Sequence, residues 1–118
     1  MPLKHIQLEL ARTKESPAGD AACGYEFAAP LDAHGNFDAA GWAELRQLCT
    51  VRRYWRGAAD EHGLLVHANA RWSFSYSRGD KDDEPIFKFD RHAFVPGEYV
   101  TITEHDGVAR PFRIVSVR

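Results

Sequence analysis

Val51-Arg52-Arg53-Tyr54-Trp55-Arg56 puts three guanidinium groups and two large rings into six residues. Arginine offers five N–H donors in a fixed fork that fits carboxylate and phosphate oxygens, and its planar cation packs over aromatic faces. The chemistry such a segment supports is anion recognition. Read as a strand, it shows Val51, Arg53 and Trp55 on one side and Arg52, Tyr54 and Arg56, with Thr50, on the other. The register with Val51 and Trp55 inside carries Arg53 inward, where a guanidinium must be paired and hydrogen-bonded. An internal carboxylate such as Glu26 or Asp90 would make that pair a structural salt bridge, or the arginine stem would snorkel to the rim. Alternatively, a ligand carboxylate or phosphate would occupy the place, in the mouth of a barrel. The candidate ligand-binding residues are therefore Arg53 and Trp55, with Arg52, Tyr54 and Trp72.

Trp72 belongs to Arg71-Trp72-Ser73-Phe74-Ser75-Tyr76-Ser77, with a ring at every second position. On a strand these rings share one face, either a platform on which bases stack or the wall of a core. Exposing them would send serine and arginine into the interior without partners, at a cost. The expected arrangement is Trp72, Phe74 and Tyr76 inward, with Trp72 near Trp55, and Arg71, Ser73, Ser75 and Ser77 in solvent.

Other chemistry-bearing groups form no recognised constellation. Asp80-Lys81-Asp82-Asp83-Glu84 alternates oxygens as a calcium loop does, but Pro85 and Arg91 stand where such a loop needs Gly and Glu. A solvated hairpin loop is expected there. The six histidines make no HxH or HExxH pair, and no metal site is expected. Cys23 and Cys49 lie outside any CxxC spacing and read as buried thiols, although they could form one disulfide. Activation of Cys49 by Arg52 or Arg53 is the reactive alternative. GxSxG, P-loop and GxGxxG motifs are absent, so no catalytic residue and no cofactor is assigned.

The elements that must position these residues are mostly strands. The 118 residues suit one domain, and a hydrophobic fraction of 44% supports a packed core. Residues 3–10 alternate Ile6, Leu8 and Leu10 against His5, Gln7 and Glu9; further runs lie at 23–31, 50–57, 64–68, 71–77, 86–91, 98–104 and 109–117. Turn chemistry separates them, with Asp106-Gly107 the sharpest hairpin signal. One helix is expected over about 39–48. Asp38 would cap it, Phe37 and Trp42 would staple its start, and Trp42, Leu45, Leu48 and Cys49 would form its apolar stripe. These elements predict a mainly β domain, a small antiparallel barrel or strongly curled sheet of six to eight strands with one short helix.

Net charge is −2, so no overall positive field draws nucleic acid or an anionic membrane. The basic residues concentrate in residues 41–78, which carry six Lys and Arg against three Asp and Glu and hold all three tryptophans. No apolar run approaches the about 18 residues of a membrane span, which leads to the expectation of a soluble, cytoplasmic protein.

Phe94-Val95-Pro96-Gly97-Glu98-Tyr99-Val100 and Arg110-Pro111-Phe112-Arg113-Ile114 together resemble the flavin-binding barrel segment of ferredoxin-reductase-like proteins. The resemblance covers about twenty residues and departs at Phe112-Arg113, where Tyr-Ser stands in that family. It implies barrel geometry and, as an alternative function, a small enzyme or flavin-like cofactor carrier with its pocket in the barrel mouth. The leading expectation is a non-enzymatic binding or accessory module that holds a protein partner or a small anionic ligand. A homodimer would cover a leftover sheet edge. Binding of RNA or single-stranded DNA through Arg52, Arg53, Arg56 and Arg71 is disfavoured by the acidic balance.

Overall fold

Alternating apolar and polar residues become strand along most of the chain, and the strands roll into a nearly closed antiparallel barrel. A computed structural model describes residues 3–68, 70–76 and 83–118; the expectations for Asn69, Ser77 and residues 79–82 lie outside these. The strands are β1 (Leu3–Leu10), β2 (Asp20–Pro30), β3 (Thr50–Tyr54), β4 (Glu61–Ala68), β5 (Arg71–Ser75), β6 (Glu84–Pro85), β7 (Tyr99–Thr103) and β8 (Ala109–Val117). They pair in the order β6-β5-β4-β3-β2-β1-β8-β7. The two ends meet at an isolated bridge between Ile86 and Ile102, beside which Phe87 N donates to Thr101 O at 2.9 Å. Register shifts at Glu9/Leu10 and Gln7/Leu8 bend β1 between its neighbours and help the sheet curl.

Inward positions follow the period of two. Ile6 and Leu8 on β1, Tyr25 and Phe27 on β2, Val51 on β3, Leu65 on β4, Phe74 on β5 and Phe112 and Ile114 on β8 are all buried. Their rings pack edge-on or tilted, with Tyr25 centred 5.0 Å from Phe112 and 5.2 Å from Phe74. The β7–β8 hairpin forms at the Asp106-Gly107 turn, with Gly107 at φ 80° and its N–H on Glu104 O.

The helix sits where the pattern places it. Asp38 accepts from Gly41 N at 3.1 Å and starts α1 (Ala39–Leu45), which tightens into a 3-10 turn over Arg46–Leu48. The expected apolar stripe ends at Leu45, and Leu48 does not join it. Leu48 is 57% exposed. Trp42 anchors the segment, its indole donating to Leu65 O at 3.0 Å.

Three local expectations are corrected. Residues 86–91 do not continue as a strand: Lys88 takes a left-handed φ of 50° and the chain enters a 3-10 turn, Phe89–Arg91. Phe89 thereby reaches the core beside Phe37 and Phe94, while Phe87 is left 61% exposed. Ser73 is buried rather than solvated, flanked by Val66 on β4 and Pro85 on β6. Trp72 and Phe74 do face inward, but Trp72 does not pack near Trp55. It stacks on His67 at 4.3 Å and meets Phe37 and Trp42 edge-on, whereas Trp55 lies against Phe112. The barrel thus has an aromatic end around Trp72 and a second end around Trp55. Among the described residues, no helix is long and apolar enough to cross a membrane.

Close strand approach at Gly63 tests this packing. A Cβ there would stand 2.0 Å from Ser75 O, in backbone that cannot swing away. Gly63→Ala is expected to cost about 3 kcal/mol, at the upper end of overpacking effects, read from the urea unfolding midpoint. A loss below about 0.5 kcal/mol would contradict the arrangement.

Candidate functional site

Successive residues of β3 face opposite sides of the barrel wall, so the two adjacent arginines enter different environments. Arg53 points inward, beside Tyr25 on β2 and Glu61 on β4 in the pairing register. Its side chain is only 11% exposed. Trp55 covers it, with the guanidinium carbon 4.2 Å from the ring centroid.

The inward guanidinium is matched by protein carboxylates, but not by those expected. Nη2 donates to Glu104 Oε2 at 3.1 Å and Nη1 to Glu61 Oε2 at 3.4 Å; Nε stands 3.6 Å from Glu84 Oε2, buried and without a bond. Glu26 cannot serve because it lies on the outer face of β2, bound to Arg52. Asp90 is exposed in the 3-10 turn after Lys88. Glu104 takes a second guanidinium, with Arg110 Nη1 2.8 Å from its Oε1. Arg110 also grips Asp106 and holds that carboxyl below the usual carboxylate range.

Glu84 corrects the expectation of a solvated acidic loop most sharply, since it has no exposure. Its Oε1 lies 2.9 Å from Tyr25 Oη and 2.7 Å from Tyr76 Oη. Its Oε2 accepts from His105 N at 3.1 Å and faces His105 Nδ1 at 3.2 Å. Burial pushes the Glu84 carboxyl up, and burial also pushes the Tyr76 hydroxyl up. His105 Nε2 in turn meets both oxygens of Glu61. Arg53 and Arg110 therefore share one end of the barrel with Glu61, Glu84, Glu104 and Asp106, where carboxyl groups outnumber guanidiniums. Such a set engages both terminal nitrogens of Arg53, while Nε faces Glu84 and Trp55 covers the guanidinium.

Arg52 faces the other way. Glu26 accepts from its Nε and Nη2, and Asp60 from its Nη1 at 2.8 Å. Tyr54 lies on the same outer face, 4.9 Å below the Arg52 guanidinium. The ring lies flat because Gly24 leaves space: a Cβ there would come within 2.7 Å of the Tyr54 hydroxyl, which donates to Leu8 O. Register aligns one polar row across five strands, Ser116, Gln7, Glu26, Arg52 and His62. That row, with His5, Thr50 and Arg118, lines an open groove of about 520 Å³. Arg56, the third arginine of the segment, is held by Asp20 in a two-point contact of 2.9 and 2.8 Å.

The structure thus brings Arg53 together with Trp55, groups Arg52 with Tyr54 outside, and leaves Trp72 at the aromatic end. Sequence reasoning missed Glu84, Glu104, Tyr25, Tyr76 and His105. Cys23 and Cys49 are free and buried, and burial raises both thiols, the opposite of activation. Among the described residues, no cluster of His, Cys, Asp and Glu suits a metal ion. In the segment that resembles a flavin barrel, Phe94 and Phe112 are core side chains, and Arg110 is bonded to Glu104 and Asp106. Comparison with protein families, curated proteins and solved structures finds no match to this chain.

Removing the inward guanidinium would take from buried Glu104 one of its two guanidinium partners and from Glu61 its inward one. Arg53→Leu is expected to cost about 3–5 kcal/mol, as for other broken buried pairs. Chemical unfolding at pH 7 measures it, and a neutral result would mean that the network does not bear on folding.

Proposed function

We propose that this protein is a small non-enzymatic binding module and that its ligand is a small anion held in the outer groove. The groove carries the reading: a polar row from five strands lines about 520 Å³, within the size range of small-molecule sites. Its donors are of the kind that recognise carboxylate or phosphate, namely the Arg52 guanidinium, the His5 and His62 rings, the Gln7 amide and the Ser116 hydroxyl. Arg52 is oriented by Glu26 and Asp60, whose side chains are 47% and 42% exposed. Exposed pairs of this kind are worth about 0–1 kcal/mol, so an entering anion can displace Asp60 at small cost. Tyr54 packs beneath the Arg52 guanidinium at 4.9 Å.

Two observations favour this location over the barrel mouth. Arg53 is already faced by Glu61, Glu84 and Glu104, and the interior around it is filled by Tyr25, Trp55 and Phe112. The nucleic-acid reading is the weaker one, because the net charge is −2 and Arg53, at 11% exposure, is turned into the barrel.

Amide NMR titrations with inorganic phosphate and with citrate test the proposal. Shifts are expected at Gln7, Arg52, His62 and Ser116 with millimolar affinity, about −4 kcal/mol, and Arg52→Ala should abolish them in a protein that stays folded. Shifts scattered over the whole surface, or unchanged in the variant, would reject the groove as the site.

A further inference from the structure

The hydroxyl of Tyr25 has one hydrogen and two buried carboxyl neighbours. Glu84 Oε1 and Glu104 Oε2 each lie 2.9 Å from its oxygen. One contact uses the hydroxyl hydrogen. The other closes only if a carboxyl group supplies a second hydrogen, because two bare oxygens at that distance repel.

The surroundings decide which carboxyl supplies it. Glu104 touches two guanidiniums, those of Arg53 and Arg110. Glu84 touches two tyrosine hydroxyls, a backbone amide and the ring nitrogen His105 Nδ1. The nearest guanidinium nitrogen, Arg53 Nε, stands off at 3.6 Å and makes no bond. A neutral acid at Glu84 fits both tyrosine contacts and the amide, with its carbonyl oxygen Oε2 turned to His105.

We propose that Glu84 stores a proton at neutral pH and that this proton locks the seam of the barrel. The chain of donors runs one way: Tyr76 O–H to Glu84 Oε1, Glu84 Oε1–H to Tyr25 Oη, and Tyr25 O–H to the Glu104 carboxylate. Such aligned bonds strengthen one another in a dry interior.

Position gives the proton its consequence. Glu84 lies on β6, a strand of two residues, and Glu104 follows β7 at the opposite side of the seam. The main chain joins these edges at the Ile86–Ile102 bridge, and Glu84 adds a bond to the His105 amide. The groups facing Glu84 are Tyr25 from β2, Arg53 from β3, Tyr76 after β5 and His105 after β7, with Glu61 beyond His105 and Arg110 beyond Glu104. Losing the proton would set two carboxylates on either side of one hydroxyl with a single hydrogen between them.

The linkage has a definite sign. Burial raises the Glu84 carboxyl above its ordinary value of 4.5, so the closed seam binds a proton that the open seam has released. Closure is therefore strongest at low pH and is lost as pH rises, levelling off once the closed form also gives up its proton.

A carboxyl-carbon NMR titration, combined with hydrogen exchange at the seam amides of Phe87 and His105, tests this. At pH 7 the Glu84 Cδ is expected at the position of a neutral acid. The opening constant of both amides is expected to rise about tenfold per pH unit above the ordinary carboxyl range. Because His105 is also ionisable, Glu84→Gln separates the two: the amide keeps a donor toward Tyr25, and the pH slope should vanish. A Glu84 carbon already ionised at pH 6 would overturn the proposal, as would an unchanged slope in the variant. Should that variant fail to fold, the carbon titration of the native protein decides alone.

Discussion

A carboxyl group with no exposure to water ties together the two edges of this sheet. A strand of two residues offers few main-chain bonds, so β6 cannot hold the barrel shut through its ladder alone. Glu84 adds contacts to Tyr25, Tyr76 and His105, which come from three other parts of the wall. Leaving such a group unsatisfied in a low-dielectric interior costs several kcal/mol, by order of magnitude, which makes its partners obligatory rather than ornamental. Tyr25 must present a hydroxyl, Glu104 must be fixed by Arg53 and Arg110, and Trp55 must keep water from the guanidinium. The polar end of the barrel is thus one interdependent unit, while the aromatic end around Trp72 is conventional packing.

The period of two does more than build the wall. It separates Arg52 from Arg53, neighbours in the chain that end in opposite environments. Inside, a guanidinium is enclosed by carboxyl groups and a ring and contributes to the fold. Outside, the same chemical group is held by the exposed acids Glu26 and Asp60, and it lines a groove shared by five strands. A single register therefore places one arginine in the barrel interior and its neighbour on the outer wall.

Much of the architecture was legible because local signals agreed with one another. Alternation in Ile6-Gln7-Leu8-Glu9-Leu10, the Asp38 cap and the Asp106-Gly107 turn each specified an element that formed. The inward course of Arg53 beside Trp55 was legible by the same rule. Its partners were not, for two different reasons. Glu104 continues the inward series Val100, Ile102 by one more step, a signal that periodicity could have found. Glu84 emerges from an acidic run of solvent-loving composition, and only the closing of the barrel, a contact between distant segments, draws it inside. Phe87-Lys88-Phe89 misled in the opposite sense: its alternation mimics a strand, and the left-handed turn at Lys88 has no local residue signature such as glycine or asparagine. The outer groove was hidden as well, since strand register rather than any motif aligns Ser116, Gln7, Glu26, Arg52 and His62.

Cys23 and Cys49 are sealed in the wall, one on β2 and the other just before β3, and burial pushes both thiols up, away from the thiolate. The chain accordingly carries two built-in chemical clocks. Reagents that need a thiolate have to wait for the barrel to breathe, so the rate of modification at each cysteine counts the openings of its own stretch of wall, without any label having to be engineered.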